Sequence, residues 1–109
     1  MNMTSFPFET LDWSSVPKEE RKGETGLACW QVKMMNDIRV RIVEYSPGYK
    51  ADHWCKKGHV LHCMEGEMVT ELEDGRTMKL TAGMTYFVGD NNEVHRSSTA
   101  TGCKLFIVD

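Results

Sequence analysis

The chain has 109 residues, 13 of them basic and 16 acidic, for a formal charge of −3 at pH 7. One domain of that length can bury a core of its own, and without a basic stripe to neutralise phosphates no nucleic-acid partner is expected. No apolar run approaches the ~18–20 residues of a bilayer span, so no membrane partner is expected either, and the polar start Met1-Asn2-Met3-Thr4 has no secretory pattern, which makes the cytoplasm the expected compartment.

Residues 1–26 are the least regular part. Pro7, Pro17, Gly23 and Gly26 punctuate an extended arm, and the run Lys18-Glu19-Glu20-Arg21-Lys22 reads as a solvated face. Phe6, Phe8, Leu11 and Trp13 are too apolar for a free tail, so the arm is expected to pack on the body or on a partner subunit.

From residue 27 to 109 the pattern has period two, the mark of strands. Ala28, Trp30, Val32 and Met34 alternate with Cys29, Gln31 and Lys33, and after a turn at Met35-Asn36-Asp37 the residues Ile38, Val40 and Ile42 alternate with Arg39 and Arg41. That strand has one apolar face and one basic face. The apolar face is expected inside, with Arg39 and Arg41 exposed or at a subunit contact.

A short strand is predicted over Ala51–Cys55, a turn at Lys56-Lys57-Gly58, a strand over His59–Met64 and a turn at Glu65-Gly66. Further strands are predicted around residues 68–73, 76–80, 84–88, 94–98 and 103–108. Asp74-Gly75 reads as a two-residue type I′ hairpin turn, in which both central residues take positive φ. No segment reads as a helix. So many short strands at this spacing predict an all-β sandwich or barrel, and closure into a barrel also hides its edge strands.

The residues that carry chemistry crowd together. His53, Cys55, His59 and His62 fall within ten residues, and the fourth histidine, His95, lies near the end. Imidazole and thiolate are the side chains that best bind first-row transition metals near neutral pH. On a strand, His53 and Cys55 would share a face, and a tight turn would bring His59 back beside them. His62 is three residues on from His59 and faces the other way. Cys29, Cys63 and Cys103 sit in apolar strand patterns and read as buried, free thiols. Tyr86 is expected in the barrel interior as core, and Arg96, beside His95, in a surface ion pair.

Gly48-x4-His53-x-Cys55-x3-His59-x6-Gly66 resembles the first motif of the cupin superfamily, G-x5-H-x-H-x3–4-E-x6-G. Gly83-x5-Gly89-x-Asn91-x3-His95 resembles the second, G-x5-P-x-G-x2-H-x3-N, without its proline and final asparagine and with the histidine displaced by one. Within that superfamily the chain is most similar to an uncharacterised group named for a D-H-C-W motif, whose residue types stand here as Asp52-His53-Trp54-Cys55. The resemblance implies a cupin-type double-stranded β-helix, that is, a jelly-roll barrel, with residues 1–26 as an N-terminal arm and residues 27–109 as the barrel.

It also implies a metal in the barrel mouth, with His53, Cys55, His59 and His95 as ligands. Cys55 stands where the family has a second histidine, and His59 where it has a glutamate. One thiolate makes that set softer than the usual one, which favours zinc among iron, nickel, manganese and copper. The expected function is a metal-binding cupin with a small polar ligand of unknown identity. The alternatives are a metal-dependent dioxygenase, isomerase or lyase acting on a small organic acid, or a metal-free dimeric module. A homodimer is expected in each case.

Overall fold

The computed structural model describes Met3 and residues 5–109. Eight strands follow one another: β1 (Glu19–Lys22), β2 (Leu27–Met35), β3 (Ile38–Tyr45), β4 (His59–Leu72), β5 (Thr77–Thr81), β6 (Thr85–Val88), β7 (His95–Ser98) and β8 (Cys103–Val108). Before them comes a single 3₁₀ turn, Trp13–Ser15, whose cap Asp12 accepts from the Ser14 N–H at 3.0 Å. Among the described residues no helix is long and apolar enough to cross a membrane.

All strand pairings are antiparallel, and β4 joins the two sheets. Its first part pairs with β6 over His59–His62 and with β8 over Val60–Gly66, and its second part pairs with β5 and β7. The larger sheet continues from β8 through β3 and β2 to β1. The turn expected at Glu65-Gly66 is a bulge within this one long strand, where the register against β8 slips between Cys63 and Glu65. Gly66 has φ +74, and a Cβ there would lie 2.3 Å from the Gly102 carbonyl oxygen, so the strand can bend from one sheet to the other only with glycine at this position.

The hairpin at Asp74-Gly75 forms, but with different geometry. Only Gly75 has positive φ (98°), its N–H reaches the Leu72 carbonyl at 3.0 Å, and Leu72 N–H reaches the Arg76 carbonyl at 2.8 Å. This is a three-residue loop closed by a left-handed glycine, which a lone Gly after Asp satisfies without a second positive φ.

Alternate side chains of β3, β4 and β8 fill the barrel. Val43, Leu61, Cys63, Met68, Leu105 and Ile107 are at most 2% exposed. Arg39 and Arg41 lie on the same side of β3 as Val43 and Tyr45, so the basic face of that strand is turned inward, against expectation. Arg41 is only 7% exposed. The physical reason lies in the arm. Ile42 pairs with Gln31 on β2 and Phe106 on β8, and the Gln31 side chain donates to the Trp13 and Val16 carbonyls at 2.7 and 2.9 Å. Trp13 meets Phe106 edge-on at 6.5 Å between ring centres. The arm therefore covers the outward apolar face, and the interior receives the arginines.

Candidate metal centre

The segment before β4 is not the strand that period two predicts. Lys50 lies opposite Ser98, and Cys55 lies opposite His95. Between these bridges the segment advances five residues while β7 advances three, so two extra residues must loop out. The bend falls at Asp52 and His53. In an unbroken ladder His53 would face His95. The looped-out pair gives that position to Cys55, whose N–H donates to the His95 carbonyl at 2.7 Å while its own carbonyl accepts from the His95 N–H at 3.0 Å. Residues paired in this way present their side chains on one face of the ladder.

His59 completes the group from the start of β4, opposite Val88 of β6. Gly58 lets the chain pass close to the turn after β6. A Cβ there would lie 2.5 Å from the Asp90 nitrogen, and the Gly58 N–H donates to Asp90 Oδ1 at 2.7 Å. One ligand atom from each of Cys55, His59 and His95 lies within 4.8 Å of the other two. The two Nε2 atoms stand 3.1 Å apart, and the Tyr86 hydroxyl is 2.8 Å from Nε2 of His59.

The electrostatics follow from this packing. The bond to His95 lowers the Cys55 thiol pKa, overcoming the opposite effect of burial. The same bond raises the His95 imidazole, and burial lowers that of His59. Burial also raises the Tyr86 hydroxyl well above its ordinary range.

These residues fit a divalent metal. His95 Nδ1 faces the Glu93 carbonyl at 2.9 Å, which calls for hydrogen on Nδ1 and a lone pair on Nε2. His59 Nδ1 is buried without a hydrogen-bond partner, since Asp109 Oδ2 lies 3.7 Å away, beyond hydrogen-bonding reach but close enough to polarise the ring. Two imidazole nitrogens facing each other at 3.1 Å are satisfied together by a cation between them. Two nitrogen ligands of a tetrahedral zinc, each at about 2.0–2.1 Å, stand roughly 3.3 Å apart. A thiolate and two imidazoles form a donor set suited to zinc and to softer transition metals.

Behind His59 lies Asp109, whose side chain is 0% exposed. Arg39 grips it with two bonds of 2.9 and 3.0 Å, and Arg41 adds one of 3.2 Å. Burial alone would raise this carboxyl, but His59, Arg39 and Arg41 together hold it well below the usual carboxylate range.

No protein-family model matches the sequence, and no match was found among curated proteins. Solved structures do match the backbone. A predicted oxalate decarboxylase from Thermotoga maritima superposes with a TM-score of 0.78 at 18% identity, covering 92% of this chain and 96% of its own. The polyketide cyclase RemF from Streptomyces resistomycificus gives 0.77 at 20% identity, covering 94% and 78%. A cupin-2 domain protein from Shewanella frigidimarina gives 0.60 at 24% identity, covering 73% and 78%.

The fold is a cupin jelly roll.

Of the four residues expected at the mouth of this cupin barrel, the structure gathers Cys55, His59 and His95. His53 stands apart on the rim. Its side chain is 79% exposed and its Nδ1 lies 2.6 Å from Asp52 Oδ1. His62 faces away, as expected, with Nδ1 2.7 Å from Thr85 Oγ1. Arg96 forms the ion pair expected of it, with Glu71 at 3.1 Å, and stacks over Trp54 at 4.4 Å, but the pair is part-buried and Arg96 borders the same cavity as His95. Tyr86 does face inward, but against His59 rather than as plain core. Arg39, Arg41 and Asp109 went unrecognised as site residues. The alternation of Arg39 and Arg41 was visible, but nothing local in the sequence says which face of β3 turns inward.

Proposed function

We propose that this protein is a small metal-binding cupin, related to the D-H-C-W group through Asp52-His53-Trp54-Cys55. In this reading it holds one divalent transition metal at Cys55, His59 and His95. The observation that carries the reading is the convergence of three ligand atoms within 4.8 Å of one another, two of them imidazole nitrogens facing each other. The thiolate favours zinc. Three protein ligands would leave a zinc ion one open coordination position, as in catalytic rather than structural sites. There it can polarise a bound oxygen or acidify water. A small polar ligand occupies the cavity of about 250 Å³ that the trio helps to line. The open position supports, as a second reading, a metal-dependent enzyme acting on a small organic acid.

Metal analysis of the purified protein tests this directly. One equivalent per chain is expected, and Cys55→Ser should lose most of it, because a serine hydroxyl is a poor ligand where a thiolate bound. A wild-type chain that arrives without metal and takes none up from zinc, iron, nickel, manganese or copper solutions leaves the metal-free dimeric module standing. We also propose that the protein is a cytoplasmic homodimer. Val60 of β4 pairs with both Phe87 of β6 and Val108 of β8, and this outward apolar row leaves Phe87 81% and Val60 43% exposed. Light scattering should report two chains, and Phe87→Glu should yield one.

A further inference from the structure

The cavity at the trio has an unusual lining. Arg39, Arg41 and Arg96 border it, and no aspartate or glutamate does so among the described residues. Arg96, 20% exposed, pairs with Glu71 through one bond and stacks over Trp54, its Nε buried without a partner. Arg39, 28% exposed, is committed to Asp109 through two bonds. Arg41 is different. Its side chain is 8% exposed, yet among the described residues a single hydrogen bond, Nη2 to Asp109 at 3.2 Å, serves its five N–H donors. Its Nε is buried with no partner. A buried guanidinium left with so few acceptors is costly and calls for an explanation, and a ligand that meets its remaining donors is one.

The surroundings prepare Arg41 for that ligand. Its guanidinium lies over the Trp30 ring at 4.4 Å. Stacking of that kind holds the plane while leaving the in-plane donors free. One edge of the fork already holds a carboxylate, that of Asp109. The other donors belong to a residue that borders the same cavity as Cys55, His59 and His95. The charge balance agrees. One thiolate and one buried carboxylate offset Arg39 and Arg41, so a divalent ion at the trio leaves the cavity with a positive excess for an anion to neutralise.

We infer that the barrel mouth binds a small carboxylate, gripped by Arg41 against Trp30 with its other end directed at the Cys55–His59–His95 site. This deepens the proposed function and rests on its metal only for the second contact. At about 250 Å³ the cavity is smaller than pockets that take drug-sized ligands, so the carboxylate is a compact one.

The test is calorimetric titration of zinc-loaded and chelator-stripped protein with acetate, glycolate, pyruvate and malonate, each paired with its neutral amide. Inorganic phosphate is the control anion, and metal content is measured on the same samples. At least one carboxylate should bind roughly ten- to hundredfold more tightly than its amide, as expected for charge-assisted bonds to a guanidinium. Arg41→Met should abolish that preference, and Arg41→Lys should keep part of it. If Arg41→Met does not fold, judged by its melting curve, Arg41→Lys and the wild-type pairs decide. The inference is overturned if no carboxylate outbinds its amide, or if phosphate outbinds them all. It is also overturned if the preference survives Arg41→Met and disappears with the zinc, because the metal alone would then hold the anion. A preference that persists in protein unable to bind metal, and depends on Arg41, sinks the metal reading and leaves this one intact.

Discussion

The two ends of the barrel interior are built from the same strands and behave in opposite ways. At the far end Cys63, Met68 and Leu105 are 0% exposed and belong to the apolar core cluster with Val43 and Ile107. At the mouth, two residues before Leu61 on the same face of β4, His59 opens a cluster of imidazole, thiolate, phenol and guanidinium groups. The cysteines measure the difference. Burial raises the Cys63 thiol and pushes that of Cys103 up to about 12, while the bond to His95 lowers that of Cys55. Strand alternation decides only that a side chain faces inward. What shares the space decides whether it is core or site.

Substitutions at the two ends should therefore fail in different ways. The largest effect is expected from His95→Ala, which should weaken zinc binding by more than the ~100-fold upper range for groups that merely support a ligand. In chelator competition its affinity should fall while its melting behaviour changes less. Leu105→Ala should do the reverse, costing about 2–5 kcal/mol of stability through the cavity it leaves and sparing zinc affinity in the folded protein. If both variants lose metal and stability together, the two ends are not separable.

Tyr86→Phe sharpens the boundary. Its hydroxyl bonds to His59 Nε2, the same nitrogen that would take the metal, and so competes for that lone pair. Zinc binding equal to wild type or a few-fold tighter is expected, and a large loss would make the hydroxyl a support of the site. His53→Ala should leave affinity unchanged, because its ring stands exposed on the rim of the cavity and takes no part in the converging trio. A loss as large as that of His95→Ala would instead make His53 a fourth ligand.

Alkylation with iodoacetamide at pH 7, read by mass spectrometry, compares the cysteines directly. Cys55 should react first in metal-free protein and be protected by zinc, while Cys63 and Cys103 should react only on unfolding. Labelling of Cys63 ahead of Cys55 would reverse the assignment of the two ends.

The smallest effect concerns acid. Asp109 titrates below its unfolded value of about 3.9, so its stabilisation is complete above that pH and is lost as pH falls through its folded pKa. His59 adds to the acid side, since its lowered pKa means the unfolded chain takes up its proton first as pH drops below about 6.5. His95, raised, works the other way: its contribution is complete below about 6.5 and is lost as pH rises through its folded value. Melting temperature of metal-free protein against pH should show a steep acid limb that Asp109→Asn flattens below about pH 4. An unaltered limb would mean that the Arg39–Asp109–Arg41 cluster is neutral in stability.

The alternation of apolar and polar residues, and the Gly and Asp-Gly breaks, were enough to specify an all-β barrel and the approximate position of nearly every strand, because period two follows directly from backbone pleating. The crowding of His53, Cys55 and His59 likewise marked the site. Three things were settled only in three dimensions. The two-residue slip between Lys50 and Cys55 exchanged His53 for Cys55 opposite His95, and a register depends on the partner strand, not on the segment itself. The bulge at Gly66 merged two expected strands into β4. The arm, by covering Ile42 and Phe106, turned Arg39 and Arg41 into the barrel, because which face of a strand lies inside depends on what covers the other.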